Sequence, residues 1–221
     1  MMNKGKLIVI EAGDGSGKAT QTRALFDHLT AEGYKVEKVS FPDYESPSSS
    51  LVKMYLNGAF GKHADDVDAY AASTFYAVDR YASFRMNWKK PYDAGEIILA
   101  DRYVTSNMVH QAVKIADDKA RDAFLNWLDD FEYVKLKLPR PDVVVFLDMP
   151  PEISERLIKE RNHSDIHERD FDYLRRCYNA YKELAKKFGW TTIKCSDGAQ
   201  PRSVEDIHED IFNLIIKKCL H

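Results

Sequence analysis

The sequence has few cysteines and no long apolar run. Cys177, Cys195 and Cys219 are far apart and odd in number, which suggests neither a disulfide framework nor a zinc site. No apolar stretch reaches membrane-spanning length, and Asn3-Lys4-Gly5 ahead of the first apolar segment is not a charged-then-apolar leader. A cytoplasmic protein with no membrane partner is therefore the default expectation. There is also no internal repeat and no long low-complexity tract. Lys and Arg total 32 against 35 Asp and Glu, a net charge of −3 that argues against a nucleic-acid partner but leaves room for a local anion site. A chain of 221 residues suits one α/β domain over 1–221, long enough to bury about 70% of its unfolded surface without staples.

What is present is organised around residues 6 to 28. Lys6-Leu7-Ile8-Val9-Ile10 reads as a buried strand that Glu11 closes. Ala12-Gly13-Asp14-Gly15-Ser16-Gly17-Lys18 is a glycine-rich turn, and a helix with Leu25, Phe26 and Leu29 on one side follows. Strand, turn and helix in this order are the context of a phosphate loop, in which backbone N–H groups and a helix N-terminus point into one concavity and Lys18 brings a full charge to a transferring phosphoryl group. The match is imperfect. Ala12 stands where the first glycine belongs, and Ala19 stands where a magnesium-binding hydroxyl belongs, with Thr20 one place late. The bland alternative is a tight turn that binds nothing.

Further along, Tyr34, Val36 and Val39 alternate as a second strand ending at Ser40-Phe41-Pro42. A loop over 43–50 follows, with Ser48 or a neighbour capping a short helix that carries Leu51, Met54 and Leu56 and ends at Gly58 and Gly61. Residues 66–90 read as one long helix with Tyr76 and Arg80 one turn apart. Glu96 to Ala100 is a third strand, followed at once by Asp101-Arg102-Tyr103 and a helix bearing Ser106, Asn107, His110 and Gln111. An amphipathic segment spans 119–132, and 142–148 is a nearly continuous apolar strand suited to a sheet covered on both faces. A helix opening at Pro151 leads to a charged stretch, 161–170. The next helix has Tyr173, Leu174, Tyr178, Tyr181 and Leu184 on its apolar side, Trp190 to Cys195 is a fifth strand, and Ser203 caps a last helix with Ile207, Ile211, Leu214 and Ile215 inward. Strands separated by helices throughout predict a mostly parallel sheet with helices on both sides.

A phosphate cradle alone permits hydrolysis, switching or kinase action. Arg80 and Arg102 are placed to grip a second anion, with Tyr76 as a flat stacker and the amides of Asn107 and Gln111 nearby, a set closer to a nucleoside monophosphate pocket than to a hydrolytic water channel. In the bland alternatives, Arg102 pairs Asp101 and merely closes the strand end, and Tyr76 is core. Residues 161–170 read as a mobile lid, with Arg161 and Arg169, and Arg156 behind them, as candidates to reach the donor phosphates.

Glu11 to Thr20, Phe41-Pro42-Asp43-Tyr44, Phe75 to Arg80, Asp101 to Asn107, Pro141-Asp142 through Leu147-Asp148, Asp165 to Asp170 and the Tyr181 helix resemble the thymidylate kinases in order and spacing, over nearly the whole chain. The resemblance implies a P-loop NTPase-type three-layer sandwich on a five-stranded parallel sheet, a homodimer, and transfer of the ATP γ-phosphoryl group to dTMP with Mg²⁺. It implies donor contacts from Gly13, Asp14, Gly15, Ser16, Gly17, Lys18, Ala19 and Thr20. Asp14 would meet the sugar 3′-hydroxyl and a metal, and Phe41, Tyr44, Arg80 and Arg102 would frame the monophosphate. Tyr76 would stack on thymine, while Ser106, Asn107, His110 and Gln111 would line the base and sugar. Lys18, Asp14, Arg102, Arg161 and Arg169 would be the catalytic set, and Asp14, Asp101 and Glu168 the metal candidates. Gly15 stands where some relatives carry a catalytic arginine, so the lid would supply that charge. His110 sits where relatives police the sugar 2′ position. The rivals are another nucleotide or deoxynucleoside kinase, and a catalytically silent P-loop regulator.

Overall fold

The computed structural model describes residues 4–159 and 171–220. Its centre is a parallel sheet of β1 (Lys6–Ala12), β2 (Val36–Ser40), β3 (Ile97–Asp101), β4 (Val143–Asp148) and β5 (Thr191–Lys194) in the order β2-β3-β1-β4-β5. Strand order, which composition leaves open, places β1 in the middle. Its side chains alternate between two apolar layers, Leu7 and Val9 entering one and Ile8 and Ile10 the other, and none is accessible to solvent. Such a strand forms only under helices on both faces, and this is the three-layer sandwich expected.

Helix α1 (Lys18–Ala31) covers one face together with α9 (Val204–Ile215), packing Leu25 and Leu29 with Ile207 and Ile211. The short α2 (Ser50–Leu56) follows a 3₁₀ turn at Pro47–Ser49, capped by Ser46 rather than Ser48, whose hydroxyl bonds Asp79 instead. The long helix expected at 66–90 begins later. A 3₁₀ turn occupies Ala64–Asp66, Asp68 caps α3 (Ala69–Ser83) by accepting from Tyr70 N, and the helix runs on through a π turn (Phe84–Trp88) into α4 (Lys89–Asp93).

On the second face lie α5 (Val104–His110), α6 (Asp118–Asp129), which continues as a π turn over Asp130–Lys135, and α8 (Phe171–Phe188), with Val104, Phe124 and Tyr181 in one apolar cluster. Helix α7 (Pro151–Lys159) follows β4. The fifth strand is shorter than expected, and a two-stranded hairpin of β6 (Ser196–Asp197) and β7 (Gln200–Pro201) follows it. Ser203 caps α9 as predicted, its Oγ accepting from Asp206 N.

Parallel register sets Ile10 beside Asp101 and Ala12 beside Leu147. The glycine-rich turn leaving β1 and the Asp101-Arg102 step leaving β3 therefore emerge side by side, at the end of the sheet where ligands of such folds sit.

Candidate functional site

The turn between β1 and α1 is held open by two left-handed residues, Gly15 (φ 75°) and Gly17 (φ 76°), and Gly17 is the N-cap of α1. Gly15 is required twice over. A Cβ there would lie 2.8 Å from the Ser154 carbonyl oxygen and 2.7 Å from Ile158 Cγ1, because α7 packs directly on the turn. A side chain of any size at this place would collide with α7. At Gly13 a Cβ would meet nothing nearer than Ser16 Oγ, 3.7 Å away. Ser16 is buried, whereas Ala19 and Thr20 are exposed on the first turn of α1.

Lys18 extends from α1 to an ion pair with Asp101 at the end of β3. Burial, and then the charge of Arg102, push its ammonium below the usual lysine range, and Asp101 opposes them. Arg102 itself stands at φ 67°, a left-handed conformation that a non-glycine residue adopts at a cost of about 1 to 3 kcal/mol. The backbone holds it there through Arg102 N donating to Ile10 O at 3.1 Å. Its guanidinium pairs Asp14 across the mouth of the glycine turn and donates to Ser106 Oγ at 3.3 Å and Tyr181 Oη at 3.2 Å. Burial works against this charge, but Asp14, Tyr181, Glu11 and Asp101 together hold it well above the ordinary arginine value. The alternative in which Arg102 pairs Asp101 does not form, because each takes a different partner.

Beneath Arg102 lies Glu11, fully buried, accepting from Tyr103 N at 3.2 Å, Thr105 Oγ1 at 2.5 Å, Ser106 Oγ at 2.8 Å and Tyr181 Oη at 3.0 Å. This carboxylate ties the end of β1 to the start of α5 and to α8. In the sequence it only closed a strand, and an acid ending an apolar run was the signal that could have flagged it.

The ten residues expected around an acceptor all line one narrow cleft of about 90 Å³. Asp14, Arg102 and Ser106 form its mouth toward the glycine turn. Phe41 and Tyr44 come from the loop after β2, where the Phe41–Pro42 peptide is cis. Buried Asp79 fixes that loop by accepting from Asp43 N at 2.8 Å and Ser48 Oγ at 2.6 Å, and burial raises its pKa. Tyr76 stands nearly perpendicular to Tyr55, ring centroids 6.4 Å apart. Pro42, Leu56 and Tyr103 also line the cleft.

Two expectations change here. Arg80 does not present a free charge to an anion. It is 1% exposed and its guanidinium makes a two-point ion pair with Glu132, Nε to Oε2 at 2.7 Å, while Glu132 is wholly buried. Asn107 is also partly engaged, its Nδ2 donating to Ser73 O at 3.3 Å and lying 3.4 Å from Glu132 Oε1. Glu132 went unnoticed because it is one acid in an amphipathic segment, 52 residues from its partner. Gln111 remains: it is fully buried, and neither its amide nitrogen nor its amide oxygen has a hydrogen-bond partner among the described residues. An orphaned amide lining a cleft is what a ligand with complementary donors and acceptors satisfies. His110 Nε2 lies 3.3 Å from Arg102 Nη1 and 3.4 Å from Tyr181 Oη.

Of the metal candidates, Asp14 and Asp101 flank the cradle, each already in an ion pair. Among the described residues no group of three or more His, Cys, Asp or Glu converges to hold a metal. The lid at 161–170, with Arg161, Glu168 and Arg169, lies outside the described residues. Among the described residues no helix is long and apolar enough to cross a membrane.

A family model described as thymidylate kinase matches residues 10–211. A thymidylate kinase of Caldicellulosiruptor saccharolyticus is 30% identical over 213 residues, covering 96% of each chain. One from Mycobacterium tuberculosis is 32% identical over 193 residues, 83% of this chain and 87% of its own. In three dimensions the chain is similar to the thymidylate kinase of Candida albicans, with a TM-score of 0.72 at 21% identity, over 97% of this chain and 92% of that one.

Proposed function

The chain belongs to the thymidylate kinase family and phosphorylates dTMP with ATP; we propose that it does so with the acceptor in the cleft between Arg102 and Tyr76 and the donor on the turn 13–20. The observation that carries this reading is the Arg102-lined cleft opening directly beside the glycine turn and Lys18. The acceptor oxygen of a monophosphate is already ionised, so no strong base is required. Catalysis is alignment and neutralisation of charge spread over the transferring group.

In this scheme the backbone N–H groups of the turn and Lys18 hold the donor phosphates, with Gly17 opening α1 toward them. The acceptor phosphate takes over Arg102 from Asp14, and the released carboxylate is then placed for the sugar 3′-hydroxyl. The base lies against Tyr76, and the amide of Gln111 meets its polar edge. Arg80, neutralised by Glu132, shapes the wall, and Arg102 meets the phosphate. Mg²⁺ bound with ATP would supply charge that neutralises the phosphates. Ala19 offers no hydroxyl to it, so Asp14 or Asp101, each now in an ion pair, would be the side chains to hold it. Arg161 and Arg169 belong to the proposed lid over the donor. Tyr70, Val78 and Tyr81, all exposed along α3, form an apolar stripe suited to a second copy of the chain in a cytoplasmic homodimer.

A coupled assay for ADP formation, offering ATP with dTMP, dUMP, CMP, AMP, GMP and thymidine, tests the reading. Turnover with dTMP above the other acceptors is expected, and Lys18→Ala should nearly abolish it. Absence of acceptor-dependent ADP would overturn the assignment, and equal use of thymidine would move it to a nucleoside kinase.

A further inference from the structure

One part-buried cation near the cleft has no part in the scheme above. Lys114 sits on the 3₁₀ turn Ala112–Lys114 that ends the segment carrying Asn107, His110 and Gln111. Its ammonium crosses to the opposite wall, donating to Tyr55 Oη at 3.0 Å and to the Val67 carbonyl at 2.9 Å. Tyr55 is almost completely buried, and its own hydroxyl donates onward to Ala64 O at 3.3 Å. Both direct partners of Lys114 are thus neutral. A part-buried ammonium on neutral oxygens gives up hydration that an apolar side chain of the same length does not. Its position between the two walls, with the ammonium 5.1 Å over the Tyr55 ring, is what sets it apart.

The chain of contacts leads into the cleft. Tyr55 meets Tyr76 edge to face, the interplanar angle being 87°, and both pack with Leu56, Val52 and Ala72 in a small apolar cluster separate from the two main ones. That cluster supplies Leu56 and Tyr76 to one wall, while α5 and the residue after it supply the other. Lys114 is a strut between these walls. Arg176 on α8 links the turns Ala64–Asp66 and Ala112–Lys114, donating to Asp65 at 3.1 Å and to Val113 O at 3.4 Å.

We infer that Lys114 is a positioning residue for the nucleobase: its ammonium fixes Tyr55, and Tyr55 fixes the angle at which Tyr76 receives the acceptor's ring. The inference rests on the cleft being the monophosphate site. It also gives the strut a pH dependence. Burial pushes the Lys114 ammonium down to about 8, against the fields of Asp65 and Asp68 before α3 and of Cys177 on α8, which raise it. Tyr55 on α2 is the remaining titratable group in contact. The proton is held at pH 7 and lost by pH 9.5, and the strut loosens as it leaves.

The test is steady-state kinetics of the full chain and of Lys114→Met from pH 7 to 9.5. The KM for dTMP should rise about 3- to 10-fold in the variant at pH 7, the size of one aromatic contact misplaced. The KM for ATP should stay constant, kcat should fall less than the dTMP KM rises, and the melting temperature should not drop. The variant-to-wild-type ratio of dTMP KM, in which titration of thymine itself cancels, should approach one by pH 9.5. Tyr55→Phe, which keeps the ring and removes the shared oxygen, should raise the same KM and add little when combined with Lys114→Met. An unchanged dTMP KM, a ratio independent of pH, fully multiplicative effects in the double variant, or both KM values rising together with a lower melting temperature would each overturn the inference. If the wild-type chain itself showed no dTMP-dependent turnover, the site assignment would fail first, and the inference with it.

Discussion

Two arginines reach the same cleft and differ in what holds them. Arg102 pairs Asp14 at the mouth, where the two side chains keep 16% and 18% of their surface in contact with water. Arg80 pairs Glu132 in the wall, at 1% and 0%. The first pair joins two loops leaving neighbouring strands, and a phosphate entering the mouth can take the place of the carboxylate. The second joins two helical segments, and exchanging its partner would strand a carboxylate in an apolar layer. Residue type is the same in both. The accessibility of the partner decides whether an arginine is a ligand for substrate or a part of the wall.

The contrast is sharpened most by Glu132→Ala. It leaves the Arg80 guanidinium buried without its counter-charge, and unfolding titrations should show a loss of about 3 to 5 kcal/mol. A loss below 1 kcal/mol would mean the pair is not buried as described. Lys114 gives the next largest effect, as a part-buried cation whose direct partners are neutral. Its folded-state value of about 8 lies below the ordinary 10.5, so between these values the unfolded chain holds more proton. The difference in unfolding free energy between wild type and Lys114→Met should therefore be constant below pH 8. It should shift in favour of wild type by on the order of 3 kcal/mol as pH rises to 10.5. A flat difference would mean that the Lys114 ammonium is solvated like any surface lysine. Asp14→Asn should have the smallest effect on stability, about 1 kcal/mol, because Arg102 keeps Ser106, Tyr181 and water. A loss as large as that of Glu132→Ala would erase the distinction between the two pairs.

Much of this was legible in the residue order, and the reason is physical range. The turn 13–18 and its flanking strand and helix are local, written in φ-permissive glycines and a period that changes from strand to helix. The Asp101-Arg102 step carried its signal in two charges at the end of an apolar strand, where they are costly without a purpose. The Ser203 cap is local in the same way. What could not be read is what the fold brings together from afar. The strand order that centres β1 belongs here, as do the packing of α7 on Gly15, the four donors around Glu11 and the pairing of Arg80 with Glu132. Arg80 shows the difference most plainly. Its place in the cleft followed from helical spacing to Tyr76, but its counter-charge came from a segment whose acids all looked solvated. The start of α3 shows it at smaller scale, since Asp68 was one of several acids able to cap and only the structure selects it.

The central claim is that Arg102 holds the acceptor's phosphate, and calorimetric titration of wild type and Arg102→Met with dTMP and with thymidine tests it most directly. Loss of a desolvated guanidinium–phosphate contact should weaken dTMP by about 2 to 4 kcal/mol while thymidine, which has no phosphate, binds both proteins alike. Equal weakening of the two ligands, or dTMP affinity untouched by the substitution, would contradict it.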